Sequence, residues 1–173
     1  NNQRVVPVSI NISNIDFDRT DLAEALEAIV DKYGIPHELM HFEITESADF
    51  SNKAKKEATV KAIHEKGFEI ELDDFGTGYS NLVTLGALPI DVIKIDISLT
   101  RNMFEPSHNA VLRSVLYTAY SLNKKVIAEG VETKEQIDAL AEMTKDRVEM
   151  GIQGYYFSKP LPKDEFEEYL KTK

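Results

Sequence analysis

The chain has 173 residues, of which 42% are hydrophobic, a formal net charge of −10 and no cysteine. It can bury one core of its own, and its length suits one domain. The acidic balance gives no field to hold DNA or RNA duplexes, and the missing cysteines exclude disulfides and thiolate metal sites, in keeping with a reducing cytoplasm.

No apolar run approaches the roughly 20 residues of a membrane span, and no signal peptide opens the chain. It begins without Met and enters an apolar run almost at once, which marks it as a piece of something longer. In chain order, "VVPVSINIS" reads as a strand, followed by a helix over "DRTDLAEALEAIVDKYG". Leu22, Ala25, Leu26, Ile29, Val30 and Tyr33 fall at helical spacing there, with Gly34 and Pro36 as stops. The pattern then repeats: "HFEIT" with a helix over Lys53 to Lys66; "FEIELD" with a short helix from Ser80 to Leu88; "DVIKID" with Asn109 to Leu122. It ends with "KVIAEG" and Lys134 to Met143, then "GIQGYYF" and Lys163 to Leu170. Six βα units predict a parallel sheet wrapped by helices, either open and doubly wound or closed as a barrel.

In both arrangements the chemistry sits at the carboxyl ends of the strands. Every strand here ends in a polar group: Asn11, Glu43, Asp73 with Asp74, Lys94 with Asp96, Glu129 and Gln153. One such residue alone is most often a helix cap or turn residue. Six strands in succession point to a site.

"IELDDFGTGYSNL" places two like charges side by side. Joint ionisation at a pocket mouth is costly without a compensating cation. On a regular strand Asp73 and Asp74 face opposite ways, so both serve one site only if the strand ends and turns there, with Gly76 and Gly78 supplying the turn. Oxygen ligands without His or Cys suit Mg²⁺ or Mn²⁺, and a pair of ions about 3.5–4 Å apart is the usual device for in-line attack of water on a phosphodiester.

The segments "FEITES", "LDDFGTGYSNL", "IKIDISL", "VIAEGVET" and "QGYYFSKPLP", in this order and spacing, resemble the EAL-domain family, the bacterial cyclic di-GMP phosphodiesterases. The resemblance implies a TIM-type (βα) barrel that hydrolyses cyclic di-GMP to the linear pGpG with two Mg²⁺ or Mn²⁺ ions. Carried over by motif, Asn11, Glu43 and Asp73 are ligands of one metal, Asp73 bridges to the second, and Asp74 holds the second as well. Lys94 contacts the attacking water, so Lys94, Asp73 and Asp74 are the catalytic set. Glu129 is a further metal-site acid and Gln153 lines the same mouth. Glu46 steadies the Asp-Phe-Gly-Thr-Gly loop, and Glu132 supports the site from behind.

The departures are specific. The family's Glu-Ala-Leu strand lies upstream of the Asn strand, whereas Glu24-Ala25-Leu26 follows Asn11 inside an amphipathic helix, with Leu26 on the buried stripe and Glu24 on the solvated side. Residues 1–173 therefore read as an EAL-like domain lacking its N-terminal part: an incomplete barrel without its first two strands, one metal ligand and the phosphate-holding arginine. Glu71, commonly a small residue in the family, could project into the barrel interior and need a partner such as Lys94. The two open edges, beside an interior expected to be rich in Val, Ile and Leu, predict self-association or pairing with the missing N-terminal segment.

The fragment alone is expected to be inactive or weakly active. Two rival functions are a receptor that binds cyclic di-GMP without cutting it and a protein-interaction domain. A sensory or GGDEF domain is expected in the parent, which is cytoplasmic whether or not it is tethered to a membrane. His37, His41, His64 and His108 share no metal spacing and read as surface or loop residues. Tyr155, Tyr156 and Phe157 read as core, with base stacking the lesser use.

Overall fold

The structure is a computed structural model that describes residues 5–45, 53–76, 82–145 and 148–172. Six strands form one parallel sheet in sequence order: β1 (Val8–Asn11), β2 (Met40–Thr45), β3 (Glu69–Phe75), β4 (Val92–Ile95), β5 (Lys125–Ala128) and β6 (Met150–Ile152). Among the described residues seven α-helices connect or follow them: α1 (Leu22–Lys32), α2 (Lys53–Glu65), α3 (Leu82–Ala87), α4 (Ile97–Arg101), α5 (Pro106–Ser121), α6 (Lys134–Thr144) and α7 (Lys163–Lys171). The sheet is not closed by hydrogen bonds, since β1 pairs with β2 and β6 with β5 and no further strand joins them among the described residues.

Alternation along each strand separates two chemistries. Phe42, Ile44, Ile70, Leu72, Ile93, Ile95, Val126 and Ala128 are buried in the same core as Val30 of α1, Val60 of α2, Leu112 and Leu116 of α5 and Leu140 of α6. Residues of opposite parity form the other face: Ser9 and Asn11, His41 and Glu43, Glu69, Glu71 and Asp73, Lys94, and Lys125. Val92 belongs to that face and is buried without joining the main core. The interior expected to be rich in Val, Ile and Leu is therefore mostly polar or charged, with Val92 and Ile127 as its branched apolar members, and most branched apolar residues are spent on the side that packs the helices.

Local signals explain most of the helices. Pro106 opens α5, where Leu112, Val115, Leu116 and Ala119 fall at i, i+3, i+4 and i+7 on its buried side. Thr133 and Gln136 close a capping box on α6, and Asp96 caps α4 by accepting from the Ser98 amide. The helix α4 has too few residues to show a period and was not foreseen.

Two expectations fail. In α1, Ile29 and Tyr33 are exposed, and the buried side is Leu22, Ala23 and Val30. The segment "GYYF" is not a strand: Tyr156 and Phe157 donate backbone bonds to Val131 and Gly154 in a turn, so Tyr155, Tyr156 and Phe157 lie exposed. Gly154 sits so close to the Val131 backbone that a Cβ there would overlap it, which stops the strand.

Candidate active site

The two aspartates separate by a route the sequence did not announce. The strand β3 does not end at Asp73 but runs on to Phe75, with a register shift between Leu72 and Phe75 against β4. Asp74 takes a left-handed conformation, φ 57°, inside that irregularity. The bulge adds the residue needed to break strict alternation. Gly76, φ 100°, then turns the chain; Gly78 lies outside the described residues. Desolvation first, then the charges of Asp73 and Asp96, push the Asp74 carboxyl above its ordinary pKa, against a smaller opposing pull from Lys94.

Lys94, on β4, is the centre of the constellation and is 5% exposed. Its Nζ lies 3.1 Å from Glu43 on β2, 3.0 Å from Asp73 on β3 and 2.9 Å from Glu129 just after β5. Burial alone would lower the lysine pKa, but the carboxylates of Glu129, Asp73 and Glu43 around it override that and hold the ammonium well above its usual range. Desolvation raises the Glu129 pKa despite its bond to Lys94, with Asp73 and Glu43 adding like charge. Asp73 Oδ1 is buried and, although in ion-pair range of Lys94, accepts no hydrogen bond of good angle among the described residues.

The all-oxygen donor set suits a hard divalent ion, and a buried carboxylate oxygen short of donors is the kind of atom such an ion satisfies. As the side chains stand, each of the three acids directs one oxygen at Lys94. Among the described residues no group of three or more acidic or His side chains is spaced as a metal cage. The residues thus fit a metal in type, and share their oxygens with an internal cation.

The remaining candidates are distributed around this centre. Asn11 stands level with Glu43, its Cα partner across β1 and β2, and is exposed. Glu129, Gln153 and Glu132 line one cavity of about 610 Å³, together with Tyr155, Phe166, Tyr169, Arg101 and Lys159. Glu132 pairs with Arg101 at 2.9 Å. Glu46 lies outside the described residues.

Glu71 is 1% exposed, as its strand position implied, but its partner is not Lys94. His41 Nδ1 lies 2.7 Å from Glu71 Oε1, while Glu69 bridges His41, at 3.7 Å, and Lys125, at 3.0 Å. His41 is therefore a half-buried strand residue, and the sequence reading of it as surface or loop is corrected. The missed signal was the pairing of "HFEIT" with "FEIELD", which sets the β2 histidine beside the β3 glutamates. His37 is likewise anchored, with its ring stacked on Phe68.

The sequence model of the EAL domain matches residues 1–160. The chain belongs to the EAL-domain family. Cyclic di-GMP phosphodiesterase NbdA of Pseudomonas aeruginosa is 32% identical to it over 166 residues, 95% of this chain and 21% of that protein. The crystal structure of the EAL domain of Mycobacterium smegmatis DcpA aligns with a TM-score of 0.85 at 30% identity, over 96% of this chain and 73% of that one. The PaMucR phosphodiesterase in complex with c-di-GMP aligns at 0.81 and 26% identity, over 92% of this chain and 64% of that one. The solved EAL neighbours are TIM-barrel-like, and the six parallel strands of this EAL domain follow that architecture as an unclosed sheet. The chain spans about a fifth of the length of the curated relatives it matches. In this EAL domain Glu24-Ala25-Leu26 lies on α1, with Glu24 exposed and Leu26 packed against the core, so these letters form no part of the site.

Proposed function

We propose that the protein carrying this EAL domain hydrolyses cyclic di-GMP to pGpG. The observation that carries the reading is the convergence of Glu43, Asp73 and Glu129, from three strands, on the buried ammonium of Lys94. Pure stability selects against such an arrangement, because desolvating several charges costs more than apolar packing at the same place. Charge gathered at the carboxyl ends of parallel strands suits binding and chemistry.

Asn11, Glu43, Asp73, Asp74 and Glu129 would hold Mg²⁺ or Mn²⁺, two ions in all. Bound there, such ions lower the pKa of water and neutralise charge building on the phosphoryl oxygens. Lys94, held firmly as a cation, serves as a hydrogen-bond donor that orients the incoming water and not as its base. The cavity of about 610 Å³ beside Glu129 is of ligand size, and its Tyr155, Phe166 and Tyr169 offer aromatic surface while Gln153 offers an amide. Glu46 would steady the loop around Gly76 to Gly78, and Glu132 would support the site through Arg101. Among the described residues no helix is long and apolar enough to cross a membrane. The proposed setting is the cytoplasm, with a sensory or GGDEF domain in the parent.

One observation favours a second reading. The three acids are engaged by Lys94, as expected of a receptor that binds cyclic di-GMP without cutting it. Turnover and binding measured on the purified parent, with Mg²⁺ or Mn²⁺ present, separate the two. The hydrolytic reading expects conversion to pGpG that Asp73→Asn abolishes, since an amide supplies no charge to hold two cations together. Equal turnover by wild type and Asp73→Asn would falsify the metal assignment, and tight binding without turnover would establish the receptor.

A further inference from the structure

The Gly76 and Gly130 turns rest on the helix α4. A Cβ on Gly130 would overlap Ile97, and one on Gly76 would overlap the Leu99 side chain. Both glycines have positive φ, 66° and 100°. The turns that follow Asp74 and Glu129 thus sit directly on α4, and α4 must stay in place for them to keep their shape.

Gln136 ties that helix to the Glu129 turn. It is 6% exposed, and its carboxamide is used from both ends. Oε1 accepts from the Glu132 amide at 2.7 Å and the Thr133 amide at 3.0 Å, while Nε2 donates to the Thr100 carbonyl of α4 at 3.2 Å. The two Oε1 bonds belong to the capping of α6. The Nε2 bond does nothing for α6; it crosses to another element. Arg101 and Glu132 repeat the connection at the surface, where an exposed pair adds little.

We propose that Gln136 is a positioning residue for hydrolysis: its amide NH₂ fixes α4 to the Glu132–Thr133 backbone and so sets where Glu129 meets Lys94. The inference rests on the phosphodiesterase reading above. It is separable from a capping role because Gln136→Glu keeps an oxygen for the two backbone amides, as a glutamate does in a capping box, yet removes the donor to Thr100 and faces its carbonyl with a carboxylate.

The test compares wild type and Gln136→Glu in the full-length protein by steady-state kinetics on cyclic di-GMP, thermal melting and amide exchange. The expected result is a fall in kcat of at least about tenfold with KM within about twofold, the pattern of misplaced chemistry and not of lost binding. Exchange at the Val131 amide should quicken while α6 stays as protected as in wild type. Gln136→Met removes donor and cap together, so it is read against Thr133→Ala, which weakens the cap alone: if the buried carboxylate prevents folding, a loss of kcat in Gln136→Met that Thr133→Ala does not share upholds the proposal, and equal losses overturn it. Unchanged kcat, KM and Val131 exchange in Gln136→Glu would make the residue a cap and nothing more, and would overturn the proposal. A wild type without turnover counts against the phosphodiesterase reading. The Val131 exchange then decides the structural link by itself, faster exchange upholding it and unchanged exchange overturning it.

Discussion

Lys94 Nζ lies 2.9 Å from Glu129 Oε1, in a contact between neighbouring strand ends that the lysine makes while buried and the glutamate while half-buried. Glu43 and Asp73 meet the same ammonium, so one positive charge answers three negative ones. Replacing it by an apolar group of similar length, Lys94→Met, leaves the acids uncompensated and should destabilise the fold by about 3–5 kcal/mol in EDTA. Saturating Mg²⁺ or Mn²⁺ should recover part of that loss in the variant and change the wild type less. Urea unfolding with and without the ion measures both effects. Equal stability of the two proteins in EDTA would show that Lys94 is not what holds the carboxylates together.

His41, half-buried, and Glu71, buried, form a second pair one layer below. His41→Leu strands a carboxylate that is 1% exposed and should cost about 3–5 kcal/mol. Glu71→Leu in the same chain should return most of it, because two apolar side chains then replace two polar ones. A double-mutant cycle on denaturant midpoints reads the coupling. Additive losses would mean that the 2.7 Å contact carries no net energy.

The His37 ring contacts the Lys66 carbonyl at 2.6 Å through Nδ1 and Asp31 at 2.9 Å through Nε2. The carbonyl first and the carboxylate second raise its pKa above the ordinary value. A raised pKa in the folded state gives stability that is complete below the unfolded value, about 6.5, and fades as pH climbs through the folded one. The wild type should therefore lose stability relative to His37→Gln across that interval, whatever constant offset the lost stacking on Phe68 adds. Urea midpoints taken from pH 5.5 to 8.5, in about half-unit steps, provide the curve. A gap that widens with rising pH would reverse the assignment.

On the helix-packing side of the edge strand β1, Val8 and Ile10 are exposed, as are Ile29 of α1 and Tyr33, which caps it. An edge strand with apolar side chains and unpaired backbone groups invites pairing. The isolated 173-residue chain should self-associate, with a mass by light scattering that grows with concentration. A monomer at every concentration would contradict the expectation.

The parallel sheet was legible because strand and helix periods alternate without ambiguity, and the site because each strand end carries a polar residue. What escaped notice depended on contacts between distant segments. The Asp74 bulge is a φ angle that no adjacent residue announces. The partner of Glu71 is fixed by register: "HFEIT" and "FEIELD" each carry a strand pattern, but nothing local says that His41 lies next to Glu69. Gln136 was visible as the fourth letter of a Thr-x-x-Gln cap, yet its bond to Thr100 spans 36 residues. The aromatic run after Gln153 has strand propensity, and the backbone crossing at Gly154 overrides it.

Because the residues that hold the helices and those that gather around Lys94 occupy opposite parities of the same strands, the two sets can vary with little mutual penalty. A library randomised at the exposed Asn11 and the half-buried Glu69 and Lys125 should yield many folded proteins, some with altered ion preference or none. The same effort spent on Phe42, Ile70, Ile93 and Val126 should yield mostly insoluble ones. Such a sheet can be retuned, or silenced into a receptor, without first being rebuilt.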